Sequence, residues 1–323
     1  MELSFKVGLL PDEHMLGGVA RMLLLSGDKT LSEAQLKLCG HQVPLSSRVL
    51  VHSAMNVYLR DAIDKKFREK LLLKHSLLGY YSHGLPYKSV RAALEDRMRD
   101  ATTPRIPHVT KQRFTGIWRY CPLCAESDLA HYGIPYWRVS HQLPTSLTCE
   151  HHPEIRLISG CKNCGSDITD LIQSPYPNIS SCRKCGCGVE PEIHRHTEVT
   201  SWIQTQGLKL HHDADDLIRL KYGFEMKYGV DLWAAHKKIL GYRRLDKAQT
   251  EFTAWIQGND LTCYFNWDSM EADDYVTSLN SAIYYGKSVP PVTHLLAYKF
   301  LGLTDFDQLE LKHDQLPSAT TLD

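Results

Sequence analysis

The cysteine pattern between Tyr120 and Cys187 constrains this chain more than any other stretch. It opens with Cys121-Pro-Leu-Cys124 and passes through His141-Gln-Leu-Pro144 to Cys149-Glu-His-His152. It continues with Cys161-Lys-Asn-Cys164 and closes with Cys182-Arg-Lys-Cys185. Seven of the ten cysteines fall in this pattern, and Cys187 lies just beyond it. A Cys-x-x-Cys turn aims two thiolates at one point. Two such knuckles complete a tetrahedron of soft ligands, which is the geometry that zinc prefers. Two sites in series follow. The first is Cys121, Cys124, Cys149 and His152, with 24 residues between Cys124 and Cys149. The second is Cys161, Cys164, Cys182 and Cys185, with 17 residues between Cys164 and Cys182. That second spacing is the zinc-ribbon spacing. In the first site Cys149-x-x-His152 has the knuckle spacing. His151, and more remotely His141, are the other histidines that could complete it.

Disulfides are the competing reading. They need an oxidising compartment, and the opening Met1-Glu-Leu-Ser-Phe-Lys6 lacks a charged segment followed by an apolar one, so zinc is favoured. Catalytic zinc keeps one coordination position open, whereas both sites here can be filled by four protein ligands. There is no His-Glu-x-x-His motif. His152-Pro-Glu154 matches half of a zinc-deaminase signature, but Gly160 and Ser181 stand before the cysteine pairs where that signature needs proline. Two structural zinc ions per chain are expected, and loss of either is expected to cost the fold.

The 323 residues are 43% hydrophobic and 23% charged, which predicts a folded chain of two or three domains. No apolar run approaches the roughly 20 residues that cross a bilayer, so a membrane partner is not expected. Net charge is zero but polarised. Residues 1–120 carry 19 Lys and Arg against 11 Asp and Glu; residues 121–200 carry 6 against 9, and residues 201–323 carry 12 against 17. A basic front suits phosphate backbones, and an acidic rear suits a protein.

Residues 12–26 read as a helix with Met15, Leu16, Val19, Met22 and Leu23 on one face. Thr30-Leu-Ser-Glu33 has the form of a capping box for a helix over 31–38. A turn at 40–44 leads to a third helix, capped by Ser46 or Ser47 and running to Arg60. This is a helix-turn-helix shape, although a plain three-helix packing unit gives the same pattern. The candidate DNA surface is Ser46, Ser47, Arg48 and His52, with Lys111, Arg113 and Arg119 adding charge before the first knuckle. Linkers at 102–107 and 190–196 divide the chain into a helix-turn-helix-bearing helical domain (1–106), a tandem zinc-ribbon domain (107–196) and a helical C-terminal domain (197–323). Rear helices are expected over 197–206, 213–227, 231–240, 246–257, 271–284 and 290–301. The fold class is thus mainly α, with small β elements confined to the knuckles. No Walker-type phosphate loop and no paired-carboxylate constellation stands out, so no catalytic residues are expected.

The residues around the first site are more specific than its ligands. Arg119-Tyr-Cys-Pro-Leu-Cys124 is followed by Tyr132-Gly133, Tyr136-Trp-Arg138, His141-Gln-Leu-Pro144 and Cys149-Glu-His-His152. This series resembles the zinc region of the TniQ/TnsD family of transposon target-selection proteins. Leu10-Pro-Asp-Glu13 with Arg21, Lys74-His-Ser-Leu-Leu-Gly79, and Pro290-Pro-Val-Thr-His-Leu-Leu296 with Phe300-Leu-Gly302 resemble further segments of the same family. One departure is Glu150-His151, where the family usually has a proline and often a lysine; the ligand spacing survives it. The resemblance implies a non-enzymatic, bacterial, nucleoid-associated target-site selector or adaptor for DNA transposition. It implies that target DNA is recognised directly or through a CRISPR RNA-guided surveillance complex. It also implies recruitment of an AAA+ ATPase regulator that brings the transposase. On this picture the ATPase meets the basic front, including residues 1–60, and the acidic rear faces the guide complex or a second copy in a homodimer. The competing function is a zinc-ribbon helix-turn-helix transcription regulator with no part in transposition.

Overall fold

The computed structural model describes residues 7–60, 64–85, 87–94, 110–211, 226–228, 239–267, 277–283 and 289–303. Their helices are α1 (Met15–Leu25), α2 (Leu31–Cys39), α3 (Asn56–Leu59), α4 (Lys65–His75), α5 (Leu78–Tyr81) and α6 (Tyr87–Leu94) in the front. Then come α7 (Pro122–Tyr132), α8 (Glu198–Leu210), α9 (Ile239–Gly258), α10 (Leu279–Ile283) and α11 (Pro291–Phe300). Pairing of extended backbone among the described residues is limited to isolated antiparallel bridges, most of them at the knuckles. The chain is mainly helical, as the periodicity predicts.

The first helix starts later than the expected 12–26. Asp12 has a left-handed backbone, with φ of +57°. Its carbonyl accepts from Val139 N at 2.8 Å, and its carboxylate accepts from the backbone N–H and the hydroxyl of Ser140. Pro11-Asp12 is therefore a tether to a segment far along the chain. The cap is His14, whose Nδ1 accepts from Leu16 N. Every residue from Met15 to Leu23 is buried, so α1 is core on all sides. That includes Arg21. Its Nε and Nη2 donate to the two carboxylate oxygens of Glu13 at 3.1 and 2.7 Å, and Nη2 also donates to Gly8 O. Gly18 lets the helix sit so deep, because a Cβ there would lie 2.5 Å from the Tyr58 hydroxyl and 2.6 Å from Leu9 Cδ2.

The second helix forms as expected, with Thr30 accepting from Glu33 N and Gly40 closing the end at φ of +81°. The third does not. Residues 46–52 are irregular, followed by a 3-10 turn at Ser53–Met55 and the single turn α3. The reason is that this backbone finds partners far away rather than one turn back. Leu45 N donates to Asp170 Oδ1 at 2.8 Å, and Leu45 O accepts from Trp118 Nε1 at 3.1 Å. Ser46 Oγ and His52 Nδ1 then accept from local N–H groups, as turn residues do. Of the expected recognition helix over 46–60, only residues 53–59 are helical, as a 3-10 turn running into one α turn.

The rear helices expected at 197–206, 246–257 and 290–301 correspond to α8, α9 and α11, with ends shifted by a few residues. Most of 213–227 and 231–240, half of 271–284, and all of the linker at 102–107 fall outside the described residues; α10 lies in the described half of 271–284. The stretch 190–196 pairs with the first knuckle instead of running free, through Arg156 N to Glu192 O and His194 N to Glu154 O, both 2.8 Å. One hydrophobic cluster joins the front, the knuckle region and the rear. It includes Met15, Leu50, Tyr80, Trp118, Trp137, Ile203, Phe252 and Leu295.

That core holds histidines that stay neutral. Burial pushes His14 down to about 3 and His294 down to about 4, with neighbouring His75 adding to the shift at His14. Unfolded histidine takes up a proton below about 6.5, and these two cannot. The unfolded state therefore binds more protons as pH falls. Stability is complete above about 6.5 and declines toward pH 4. The expected loss is about 2 kcal/mol per histidine at pH 5, from about 1.4 kcal/mol per pH unit. Urea unfolding at neutral pH and at pH 5 measures it, and His294→Gln should reduce the pH slope by about one proton. An unchanged slope would refute the assignment.

Candidate metal centres

The first cluster is built at the start of α7. Cys121 is its N-cap residue and Pro122 its first residue, so Cys124 comes round within one turn. A tight turn brings up the other pair: Ile155 N donates to His152 O and Cys149 N donates to Ile155 O, at 2.8 and 2.9 Å. Cys124 Sγ stands 3.4 Å from Cys149 Sγ. His152 Nδ1 is 3.5 Å from Cys121 Sγ and from Cys124 Sγ, and 3.7 Å from Cys149 Sγ. The four ligand atoms all lie within 4.8 Å of one another. Bonds of about 2.3 Å to a tetrahedral ion require edges of about 3.8 Å, and this cluster has that size. His151 is exposed, and His141 is a buried neighbour whose Nε2 lies 3.4 Å from Cys149 Sγ. Crowding splits the thiols: contact with Cys124 and Cys149 holds Cys121 well below the usual thiol range, while contact with Cys121 pushes Cys124 far above it. All three thiols could be ionised together only around a cation, which this cluster could hold.

The cluster is part of the core. Tyr120 pairs with Ile158 through two backbone hydrogen bonds, and its ring meets Trp137 edge-on, with centroids 5.9 Å apart. Trp137 in turn packs on Trp118. Arg138 lies over Tyr136 and donates from Nη2 to Asp128 of α7 at 2.5 Å, fixing the helix that carries two ligands. Cys121 and Cys149 have no exposed surface.

The second cluster is a pair of matched turns. Cys161 Sγ is 3.5 Å from Cys185 Sγ, and Cys164 Sγ is 3.9 Å from Cys182 Sγ. In each turn the residue after the second cysteine is a left-handed glycine, Gly165 at φ of +65° and Gly186 at +72°. Each donates its N–H back to the first cysteine's carbonyl at 2.8 Å. These glycines belong to the site and were legible as Cys-x-x-Cys-Gly in both knuckles. This cluster lies near the surface, with Cys185 exposed and Cys161 and Cys164 half-buried.

The structure separates the candidate DNA residues. Arg48 and Arg113 are exposed and Lys111 is half-buried. Arg48 lies against Gly116, in the turn that follows Lys111 and Arg113, where a Cβ would meet Arg48 Cγ at 2.4 Å. Ser47 and His52 are buried and Ser46 is half-buried. Arg119 requires a correction. It is 1% exposed, donates to Ser146 O and Leu143 O at 2.6 Å, and stacks over Phe114. It holds the loop before Cys149 and cannot reach DNA. Arg21 is likewise interior, so part of the front's formal positive charge is not on the surface.

The molecule is a helical body built around a three-cysteine, one-histidine cluster, with a four-cysteine knuckle pair beside it, and both clusters could hold a metal ion. Residues 4–154 match the family model of TniQ. These residues are similar to the TniQ family, and that similarity supports a transposition-associated protein. The match spans all four residues of the first cluster and ends before the second. A search of curated proteins finds no match to the chain. Among the described residues no helix is long and apolar enough to cross a membrane.

Proposed function

We propose that this chain is the non-enzymatic target-site adaptor of a TniQ-type transposition system. It engages target DNA, directly or beside a CRISPR RNA-guided complex, and recruits an AAA+ ATPase regulator that brings the transposase. The observation that carries this reading is the TniQ match over residues 4–154, with the first cluster inside it. The ion proposed at both clusters is zinc, held by Cys121, Cys124, Cys149 and His152 and by Cys161, Cys164, Cys182 and Cys185. All-protein, thiolate-rich, four-ligand sets suit zinc in a purely structural role.

The DNA-facing side is proposed to include Arg48, Lys111 and Arg113. The ATPase is proposed to meet residues 1–60 at the face where Leu25 and Leu36 are 55% and 52% exposed. Arg21 is unsuited to probing this contact, because its reversal would break the core. Leu36→Asp, on the open side of α2, is the cleaner variant. In a pull-down with the ATPase and target duplex, Leu36→Asp should reduce ATPase capture at least tenfold while leaving DNA retention unchanged. Retained capture by this variant, with loss on charge reversal at Lys247 and Glu251 in α9, would reverse the orientation of the adaptor.

A further inference from the structure

The helix α4 carries a feature that the DNA-facing residues above do not include. Its sequence, Lys-Lys-Phe-Arg-Glu-Lys-Leu-Leu-Leu-Lys-His, holds five Lys and Arg against one Glu. Asp64 caps it by accepting from Phe67 N, and its inner side is Leu72 and His75, with His75 Nδ1 bonded to Glu13 O at 2.8 Å. Arg68 leans inward to donate to Leu59 O, and Lys65 is spent on Glu69. Lys66, Lys70 and Lys74 remain. They recur every four residues, all three are exposed, and none forms an ion pair among the described residues. At about 1.5 Å rise per residue, four residues advance about 6 Å. Phosphates on one DNA strand advance about 3.4 Å each along the axis, and the winding of the strand roughly doubles the distance between neighbours, so the lysines match successive phosphates. Phe67 stands beside the row, 45% exposed.

We propose that Lys66, Lys70 and Lys74 of α4 form a phosphate-contacting edge that lies along one strand of duplex DNA. The inference rests on reading the chain as a DNA-engaging adaptor. It moves the front's main electrostatic contact from residues 46–52 to α4. Three like charges in a row repel one another in the free protein, and an opposed polyanion relieves that repulsion. The row is positional rather than sequence-reading, because lysine on phosphate carries no base information.

The test is titration of the full chain with a short labelled duplex at several salt concentrations between about 50 and 200 mM. The wild type is compared with Lys66→Gln/Lys70→Gln/Lys74→Gln and with Lys247→Gln as a control on α9. The triple variant should keep its melting temperature, because all three side chains are in solvent. Its log–log salt slope should be shallower by about 2.7, at about 0.9 per phosphate contact. The control should behave as wild type. If the wild type binds duplex with a steep slope and the triple variant matches it, the α4 edge is overturned while the adaptor reading stands, and an acidic protein becomes the occupant to test. If the wild type shows no salt-dependent binding at all, the DNA reading itself fails, and the α4 edge with it.

Discussion

Cys121→Ser is expected to unfold the body of this protein, whereas Cys161→Ser should release one metal ion and leave the body folded. The difference follows from where the two clusters sit. Cys121 and Cys149 have no exposed surface, and the first cluster is continuous with Tyr120, Trp137 and Trp118 at the centre of the core. Structural zinc contributes about 10–16 kcal/mol to small domains that depend on it. That rivals the roughly 5–15 kcal/mol stability of a whole domain. Without the ion, three thiols and an imidazole within 4.8 Å of one another become crowded, poorly satisfied polar groups in the interior. The second cluster closes two surface turns, with Cys185 exposed. Its loss should disorder the turns around Gly165 and Gly186 and shift the main unfolding transition by a few degrees at most. Elemental analysis with circular dichroism reads both outcomes. The wild type should hold two ions, and Cys161→Ser should hold one with its helical signal intact. Simultaneous loss of both ions and of helicity in Cys161→Ser would show that the clusters are one cooperative unit. This departs from the expectation from spacing alone, which treats the two sites as equals.

Arg21→Met is expected to cost about 3–5 kcal/mol, the cost of leaving one member of a buried ion pair alone. Glu13 has no exposed surface, and its two carboxylate oxygens take Arg21 Nε and Nη2 while one of them also accepts from Leu10 N. The single variant strands a carboxylate in the core, and Arg21→Glu sets two there. The double variant Glu13→Gln/Arg21→Met should lose less than the sum of the single changes, because no charge is left unpaired. Chemical denaturation of the four proteins completes the cycle. Strict additivity would mean that the pair contributes packing only.

The two cysteine-rich clusters were the most legible part of the sequence, because the spacing of their residues is a local property and the knuckle encodes its own geometry. Helices with clear caps, such as α2 after Thr30, were legible for the same reason. The expected third helix failed because a short-range signal met long-range competition: Leu45 is claimed by Trp118 and Asp170, and nothing near Ser46 in the sequence announces this. Arg119 and Arg21 misled in the same way. Charge in a composition count carries no sign of burial, and both guanidiniums are spent inside, on loop carbonyls and on Glu13. The buried histidines His14 and His294 were equally silent, since their neutrality depends on neighbours that only packing supplies.

The reach of those tertiary bonds sets an order of events while the chain is being made. Asp12 is held by Ser140, 128 residues on, and Leu45 by Asp170, 125 residues on. A chain leaving the ribosome thus cannot finish its first sixty residues until about residue 170 has emerged, well after the cysteines of the first cluster. Contacts this distant close late and slowly. Meanwhile the apolar Met15–Leu23 stretch must wait without its permanent neighbours. Capture of the metal by the nascent first knuckle would place Trp137 and Ser140 where the waiting N-terminus can find them. The supply of metal during synthesis, rather than in the finished protein, is therefore what should govern the yield of folded chains.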